Sequence, residues 1–465
     1  MATGFRFSIK QSVLIVAIVV ATFVAFVPFS GQSAQFSHSA AVVLITLVFW
    51  STGLVPPFLA GLIFFALTAI FRLIEPTLLF SGFGSTAVWL ITSGFVIGSA
   101  ISSTGLGKRM ASVIAPHLTG SYTKLIGGLV ISAALLGFVM PSSVGRAVVL
   151  LPIGMALGEQ VGFKRGANGR IGIAVALALS CNLPSFAVLP ANIPNMILAG
   201  ASETLYDVQF SYTDYLLLHF PVLGVLKSFF IVVLVLKMFP DEIAVGSHAS
   251  AEDTETNVDP KLQKRLAILL GITLLFWVTD SIHGVNPAWI GLVAAIILLL
   301  PGIGVVAPKS FNGSVDFGTV VFVSAALGLG MLVNESGIGS YMGEVFSQLL
   351  PSSSSGSFLS FMALSLTSVI TGLVTTIPGV PAVLSPLASE FAQATGLPTA
   401  SVLMTQVLGF STAIFPYQVA PLVVAMQLSQ EKLINLVKVT LPLTAITVFF
   451  LFPLDYVWWL LLGWI

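Results

Sequence analysis

The sequence predicts an all-α polytopic membrane protein, with about eleven transmembrane helices and two re-entrant hairpins arranged as two inverted-topology repeats. Three observations carry this. Apolar residues make up 56% of the 465 and charged residues 8%, and hydrophobic segments recur from Val13 to the C-terminus. Several of those segments are broken by polar, proline-containing stretches, which membranes tolerate only where protein or a watery cavity satisfies the backbone. Part of the first half also recurs in the second: Val88, Gly98, Gly105 and Gly107 match Val320, Gly330, Gly337 and Gly339, all 232 positions on.

Composition also removes whole classes of function. The formal net charge is zero and no basic run is interleaved with aromatics, so nucleic acid is not a partner. The single cysteine, Cys181, excludes a Cys-cluster metal site, and the scattered His38, His117, His219, His248 and His283 have no metal-ligand spacing. Nothing points to a catalytic centre, a metal or a resident cofactor; the chain reads as a carrier, not an enzyme.

Arg6 and Lys10 precede an apolar run from Val13 to Phe29, longer than the roughly 7–15 residues of a signal-peptide core, so it is read as a retained first helix entering from the cytosol. Spans two and three, about 40–55 and 58–71, are parted by Pro56-Pro57, which mark a tight turn. Span four, about 86–104, ends in Gly105 and leads into an amphipathic connector with Lys108 and Arg109.

Two apolar half-helices follow, about 124–140 and 147–158, around the polar break Pro141-Ser142-Ser143-Val144-Gly145-Arg146. Ser142 and Ser143 are suited to cap the second half-helix, and a capped helix start favours anions. Arg146 adds a full charge and a planar fork suited to carboxylate or sulfate oxygens. An arginine between apolar half-helices is functional by default; the alternatives are a partner for a buried carboxylate and a vestibule charge. The next run, about 171–200, is interrupted by three prolines and three asparagines, Asn192 and Asn195 among them, and forms the partner wall of the site.

Span six, about 215–238, contains His219 and Lys227, each either a proton-relay residue or a satisfied or snorkelling side chain. Residues 241–265 form a polar cytosolic linker between the halves, 1–240 and 266–465. In the second half, spans seven to nine cover about 266–278, 289–306 and 319–333. A second hairpin, 357–396, turns at Thr375-Thr376-Ile377-Pro378, where either threonine is suited to cap the return helix. A second broken run, about 401–426, is interrupted near Gln418, and span eleven, about 441–464, follows. Pro152 and Pro386, which close the two hairpin breaks, lie 234 apart.

With the N-terminus inside, only Arg72 of the 18 Lys and Arg falls on an external segment, and only Arg146 and Lys227 lie at membrane depth. That bias supports eleven spans with the first hairpin, 124–160, opening to the cytosol and the second to the outside, in the cytoplasmic membrane and with an external C-terminus. Inverted repeats with broken helices meeting at mid-membrane are the mark of alternating-access transporters.

At these residues the chain resembles the divalent anion/sodium symporter family, carriers of dicarboxylates, citrate or sulfate. The family's hairpin tips read Ser-Asn-Thr followed by Ala-Thr-Ala, with a proline ten residues after the serine. Counting back from Pro152 sets Ser142-Ser143-Val144 on that motif and Arg146 on the later threonine; counting back from Pro386 sets Thr376-Ile377-Pro378 there. The family's Gly-Thr-Pro-Pro-Asn break matches Ala191-Asn192-Ile193-Pro194-Asn195, and its second copy falls near Gln418 to Pro421. The resemblance implies a site for a small divalent anion built from Ser142, Ser143, Arg146, Asn192, Asn195, Thr375, Thr376 and Gln418. It also implies coupling-ion contacts at Ser142, Ser143, Ala191 and Thr376, sodium or a proton as coupling ion, and a homodimer in the bilayer. The tips lack the family's asparagines and threonines, and Arg146 is read as supplying the charge that sodium gives in relatives. The alternative is a cation/proton antiporter of related architecture, which needs a membrane-embedded carboxylate; the candidates Asp280, Asp316 and Glu335 all sit at predicted span ends. Paired broken helices disfavour a channel.

Overall fold

A computed structural model describes residues 9–26, 29, 32–114, 118, 120–243, 260–347 and 357–465. Most of the polar linker (244–259) lies outside them. Every regular element described is helical. Among the described residues, eight helices are long and apolar enough to cross a membrane, and five shorter apolar ones, such as Pro57–Ile70 and Thr399–Phe410, accompany them. Large apolar side chains such as Phe23, Ile70, Leu275, Phe449 and Leu461 are exposed on outer faces, as a hydrocarbon solvent requires.

The internal repeat reappears as local structure. Helix Thr86–Thr104 starts at the cap Ser85, whose side chain accepts from Val88 N, and stops at Gly105 with φ +63°. Its counterpart Phe317–Glu335 starts at the cap Asp316, accepting from Thr319 N, and is followed by Gly337 with φ +78°. Those two glycines therefore match for a backbone reason, since L side chains avoid that region. The repeats also exchange partners: Thr86–Thr104 packs on Pro287–Leu299 of the second half, and Phe317–Glu335 on Pro57–Ile70 of the first.

The same exchange brings the hairpins together. Helix Tyr122–Val139 and the helix it turns into, Ser143–Gln160, both pack on Asn168–Ser180; Ser357–Thr375 packs on Thr399–Phe410. Beyond each tip the contacts cross over. Ser143–Gln160 lies against Ala420–Ser429, and Ile193–Tyr206 against Gly379–Leu384, so both tips and both breaks converge. At Gly409 the approach is so close that an added Cβ would lie 2.2 Å from Ser368 Cβ and 2.6 Å from its backbone carbon.

The structure corrects three expectations. The return helix of the first hairpin is Ser143–Gln160, not 147–158, because Ser142 caps it at the tip and Pro152 is accommodated inside it. Neither threonine caps the second return helix: Thr375 still belongs to the outgoing helix and bonds the Thr371 carbonyl (2.9 Å), while the cap position falls to Pro378. Span six begins at Tyr212, capped by Ser211, and reaches Met238 through a π-helical segment, Phe220–Leu226. Span eleven carries its own π segment, Thr447–Leu451. Each π segment overlaps or adjoins a proline, Pro221 or Pro453, 232 apart, whose ring removes a helix hydrogen bond.

Several charged side chains are held by polar partners at the helix ends. Arg109 bonds Gln263 (2.7 Å), Arg165 bonds Gln430 (2.7 Å), and Arg170 pairs with Glu159 (2.6 Å) and Glu431 (3.6 Å). The acidic loop after residue 203 gathers elsewhere: Glu203 accepts from Thr86 and Gln209, and Asp280 accepts from the backbone N–H groups of Tyr212 and Thr213.

Candidate functional site

The convergence of tips and breaks encloses a cavity of about 480 Å³, within the range of small-molecule sites. Its wall takes Pro141 to Val144 from the first tip, Ala191 to Pro194 from the first break, Ile377 and Pro378 from the second tip, and Gln418 to Pro421 from the second break. Asn182, Phe186 and Met196 of the first broken run, Ile91 and Phe95 of the fourth span, and Asp316 and Thr319 at the start of the ninth complete it.

The first half of this wall is a continuous chain of polar contacts. Ser142 Oγ accepts from Gly145 N (3.1 Å), satisfying an otherwise orphaned N–H of the return helix. Ser143 Oγ donates to Asn192 Oδ1, Asn192 Nδ2 donates to Ser185 Oγ (2.8 Å), and Ser185 Oγ donates to the Asn182 carbonyl (2.6 Å). Asn195 is fully buried and holds the break in shape by donating to the carbonyls of Phe186 (3.1 Å) and Val188 (2.9 Å).

Arg146 lies behind this wall. It is 0% exposed, and its guanidinium donates to three carbonyls and two hydroxyls. Nε reaches the Cys181 carbonyl (2.9 Å) and the terminal nitrogens reach the Met140 and Ala191 carbonyls. One terminal nitrogen also reaches Ser143 Oγ (2.9 Å) and Ser185 Oγ (2.6 Å). The Cys181 carbonyl ends helix Asn168–Ser180, where the macrodipole favours a cation. Met140 and Ala191 belong to the tip and the break. Arg146 therefore ties tip to break from inside a carbonyl cage and does not itself line the cavity.

The second half is built differently. Thr376 is a β-branched residue at φ +71°, a region such residues rarely enter. The next residue, Ile377, donates its N–H to the Gln418 carbonyl (3.2 Å), joining second tip to second break. Gln418 Oε1 accepts from Ile414 N and Phe415 N (both 2.8 Å), and its buried Nε2 has no hydrogen-bond partner among the described residues.

Of the residues singled out from sequence, Ser142, Ser143, Ala191, Asn192 and Gln418 line the cavity, whereas Arg146, Asn195, Thr375 and Thr376 stand behind it or shape its backbone. Asp280 and Asp316 serve as helix-start acceptors, and Glu335 is exposed at a helix end. Sequence reasoning missed Asp455. It is fully buried in helix Phe452–Leu461, and neither carboxylate oxygen has a hydrogen-bond partner among the described residues. The signal was present, since Asp455 is the one charged residue between Leu441 and Trp464.

A membrane protein of Cupriavidus necator is 25% identical over 395 residues, covering 83% of this chain and 77% of its own. A protein of Bacillus subtilis described as a putative malate transporter is 26% identical over 371 residues, 76% of this chain and 75% of its own. The L-tartrate/succinate antiporter of Escherichia coli K12 is 26% identical over 280 residues, 57% of this chain and 56% of its own. Among solved structures, the YdaH transporter of Alcanivorax borkumensis superposes with a TM-score of 0.54 at 16% identity, over 85% of this chain and 89% of that one. The MtrF efflux pump of Neisseria gonorrhoeae gives 0.54 at 12% identity, over 95% and 97%; these two show a shared fold. The family described as sodium:sulfate symporter transmembrane region matches residues 8–465, and the chain belongs to it.

Proposed function

We propose that this protein is a secondary active transporter of small divalent anions, dicarboxylates first and sulfate second, that works by alternating access in the cytoplasmic membrane as an exchanger, with the Arg146 guanidinium fixed where a cation is needed in its first half. The observation that carries this reading is the cavity itself. Two tips and two breaks meet there and offer the Ser142 and Ser143 hydroxyls, the Asn192 and Gln418 amides and the helix starts at Ser143, Ile193 and Ala420, a set of groups suited to carboxylate or sulfate oxygens.

Its volume, about 480 Å³, suits a four-carbon diacid with some water. The relatives whose names mention malate, tartrate and succinate support that substrate class. The carbonyl cage of Cys181, Met140 and Ala191 supports the coupling assignment: it has the chemistry of a monovalent cation site, and the guanidinium fills it. The repeats are taken as inverted, with N-terminus inside and C-terminus outside, and the assembly as a homodimer, following the charge bias and the resemblance.

Counterflow in proteoliposomes tests this. Vesicles preloaded with succinate, malate, tartrate or sulfate and diluted into labelled anion should accumulate label from at least one of them, equally in sodium and in choline salts. Absence of counterflow for all four anions refutes the transport reading; strict dependence on sodium refutes the role given to Arg146. The mass of the particle in detergent decides the dimer.

A further inference from the structure

The second break is also held by a buried cation, supplied by span six of the first half, at a helix end that corresponds to the one Arg146 holds. Lys227 starts the helix that leaves the π segment of span six and is 1% exposed. Its Nζ donates to the Ser411 carbonyl at 2.7 Å and lies 3.3 Å from Ser411 Oγ. Ser411 ends helix Thr399–Phe410 as Cys181 ends Asn168–Ser180, and the two lie 230 apart, within two residues of the repeat. Both half-helices thus end on a carbonyl held by a buried basic side chain, at the negative end of the macrodipole.

Lys227 differs from Arg146 in having a buried acid in its field. Asp455 follows the π segment that touches the one preceding Lys227, and the ammonium gives its hydrogen bonds to Ser411. Asp455 is 0% exposed, and both its oxygens lack hydrogen-bond partners among the described residues. A bare carboxylate in such a wall is costly, whereas a protonated one is not.

The surroundings hold few other ionisable groups. On span six, Tyr215 donates to the Phe186 carbonyl (3.0 Å) and His219 Nε2 meets Met404 Sδ (3.3 Å), leaving its Nδ1 without a partner among the described residues; Asp214 and Lys237 are exposed. Tyr456 bonds Ser357 (2.6 Å). Helices Ser357–Thr375 and Thr399–Phe410 contain no acid or base. Leu433–Ile446 contributes only the exposed Lys438. From the helices packed on the other side of Lys227, Lys124 is exposed, Arg170 is paired with Glu159, and Tyr122 and Cys181 are buried. The two π segments, immediately before Lys227 and just before Asp455, touch each other, and π segments are places where helices give way.

We propose that Asp455 is a proton-binding residue that couples proton uptake, through Lys227, to anion binding at the second break. With the proton on its carboxyl group, Asp455 is neutral and Lys227 stays on the Ser411 carbonyl, fixing the end of the half-helix from which Ile414, Phe415 and Gln418 are hung. When the proton leaves to solvent, the carboxylate draws the ammonium from that carbonyl and the second break loosens. Anion affinity then depends on the proton, and proton affinity on the anion by the same factor.

This rests on the anion-transport reading, and the test separates the two. In proteoliposomes of matched protein density, an acid-outside gradient should raise uptake of labelled succinate over the equal-pH rate. Asp455→Asn and Lys227→Arg should each abolish the difference, and Asp455→Glu should restore part of it. Asparagine is isosteric with the protonated acid, so the variant keeps its fold. Infrared spectra of the purified full chain, taken across pH without substrate, should show a carboxylic-acid C=O band that Asp455→Asn lacks. A band without flux of any anion refutes the transport reading and leaves the proton site standing. An Asp455→Asn protein that keeps either the band or the gradient response overturns the proposal.

Discussion

Replacing Arg146 by serine removes a cation whose contacts can be counted. The hydroxyls of Ser143 and Ser185 retain Asn192 and the Asn182 carbonyl as partners, so the loss falls on the carbonyls of Cys181, Met140 and Ala191. Leaving a buried carbonyl unsatisfied costs about 1–3 kcal/mol, so three cost about 3–9 kcal/mol unless something else enters. Three carbonyls and two hydroxyls around a vacated volume are ligands for a small monovalent cation. Arg146→Ser should therefore be strongly destabilised in choline chloride and recover stability in sodium chloride at equal ionic strength. A ligand that binds only the folded state stabilises by about 2.7 kcal/mol at a hundred times its dissociation constant, enough to return a good part of the loss.

The assay is thermal unfolding of the full chain in detergent, with sodium titrated against choline, and anion counterflow under the same salts. The wild-type protein should show no sodium-specific shift at this half. An Arg146→Ser protein as stable as wild type in choline and equally active would refute the reasoning, because it would mean that the three carbonyls do not need the guanidinium. One that is destabilised and indifferent to sodium would retain Arg146 as a structural tie and remove the cation analogy.

Three further outcomes test other parts of the site. Asn192→Asp puts a negative charge on the cavity wall; at about 5 Å and an effective dielectric constant near 20 the repulsion of one carboxylate is about 3 kcal/mol, so anion exchange should fall roughly a hundredfold, and a loss under threefold would place the anion elsewhere. Thr376→Gly relieves a β-branched residue at φ +71° and should stabilise the protein by about 1 kcal/mol in thermal unfolding; destabilisation would show that the threonine side chain is needed at the tip. Gly409→Val drives a side chain into Ser368 and should cost about 1–3 kcal/mol, visible as a lower unfolding temperature, whereas Gly271→Ala, with nothing within 4 Å of its added Cβ, should not.

The helices and their breaks were largely legible from sequence because hydrophobic length and proline are local signals. Span four matches its observed bounds of Thr86 and Thr104, since a serine cap and a left-handed glycine mark both ends. The return helix of the first hairpin was read too short because Gly145 and Arg146 look like a break in a hydropathy pattern, although Ser142 caps the backbone directly ahead of them. The threonines of the second tip were read as caps because their chemistry allows it; the backbone instead turns through a left-handed threonine, a property of φ that composition does not encode. Asp455 does not stand out among the carboxylates at span ends, and its complete burial without a hydrogen-bond partner among the described residues exists only in three dimensions.

The two buried cations show why a repeat visible in sequence understates a repeat in structure. Position 378, which corresponds to Arg146 at the repeat offset, is a proline, and position 459, which corresponds to Lys227, is a tryptophan. No alignment of the halves would pair the arginine with the lysine. Yet both hold the carbonyl that ends a half-helix, at Cys181 and at Ser411. What recurs is the electrostatic need, a positive charge where a helix ends in the membrane with its last carbonyls unpaired, and at both breaks a helix of the first half supplies it. The two solutions differ in function: arginine stays charged in any setting, whereas a lysine opposite a buried acid belongs to a pair that can exchange a proton. The first break is accordingly held by a fixed tie and the second by a switch, and an exchanger built this way responds to pH through one break of its site alone.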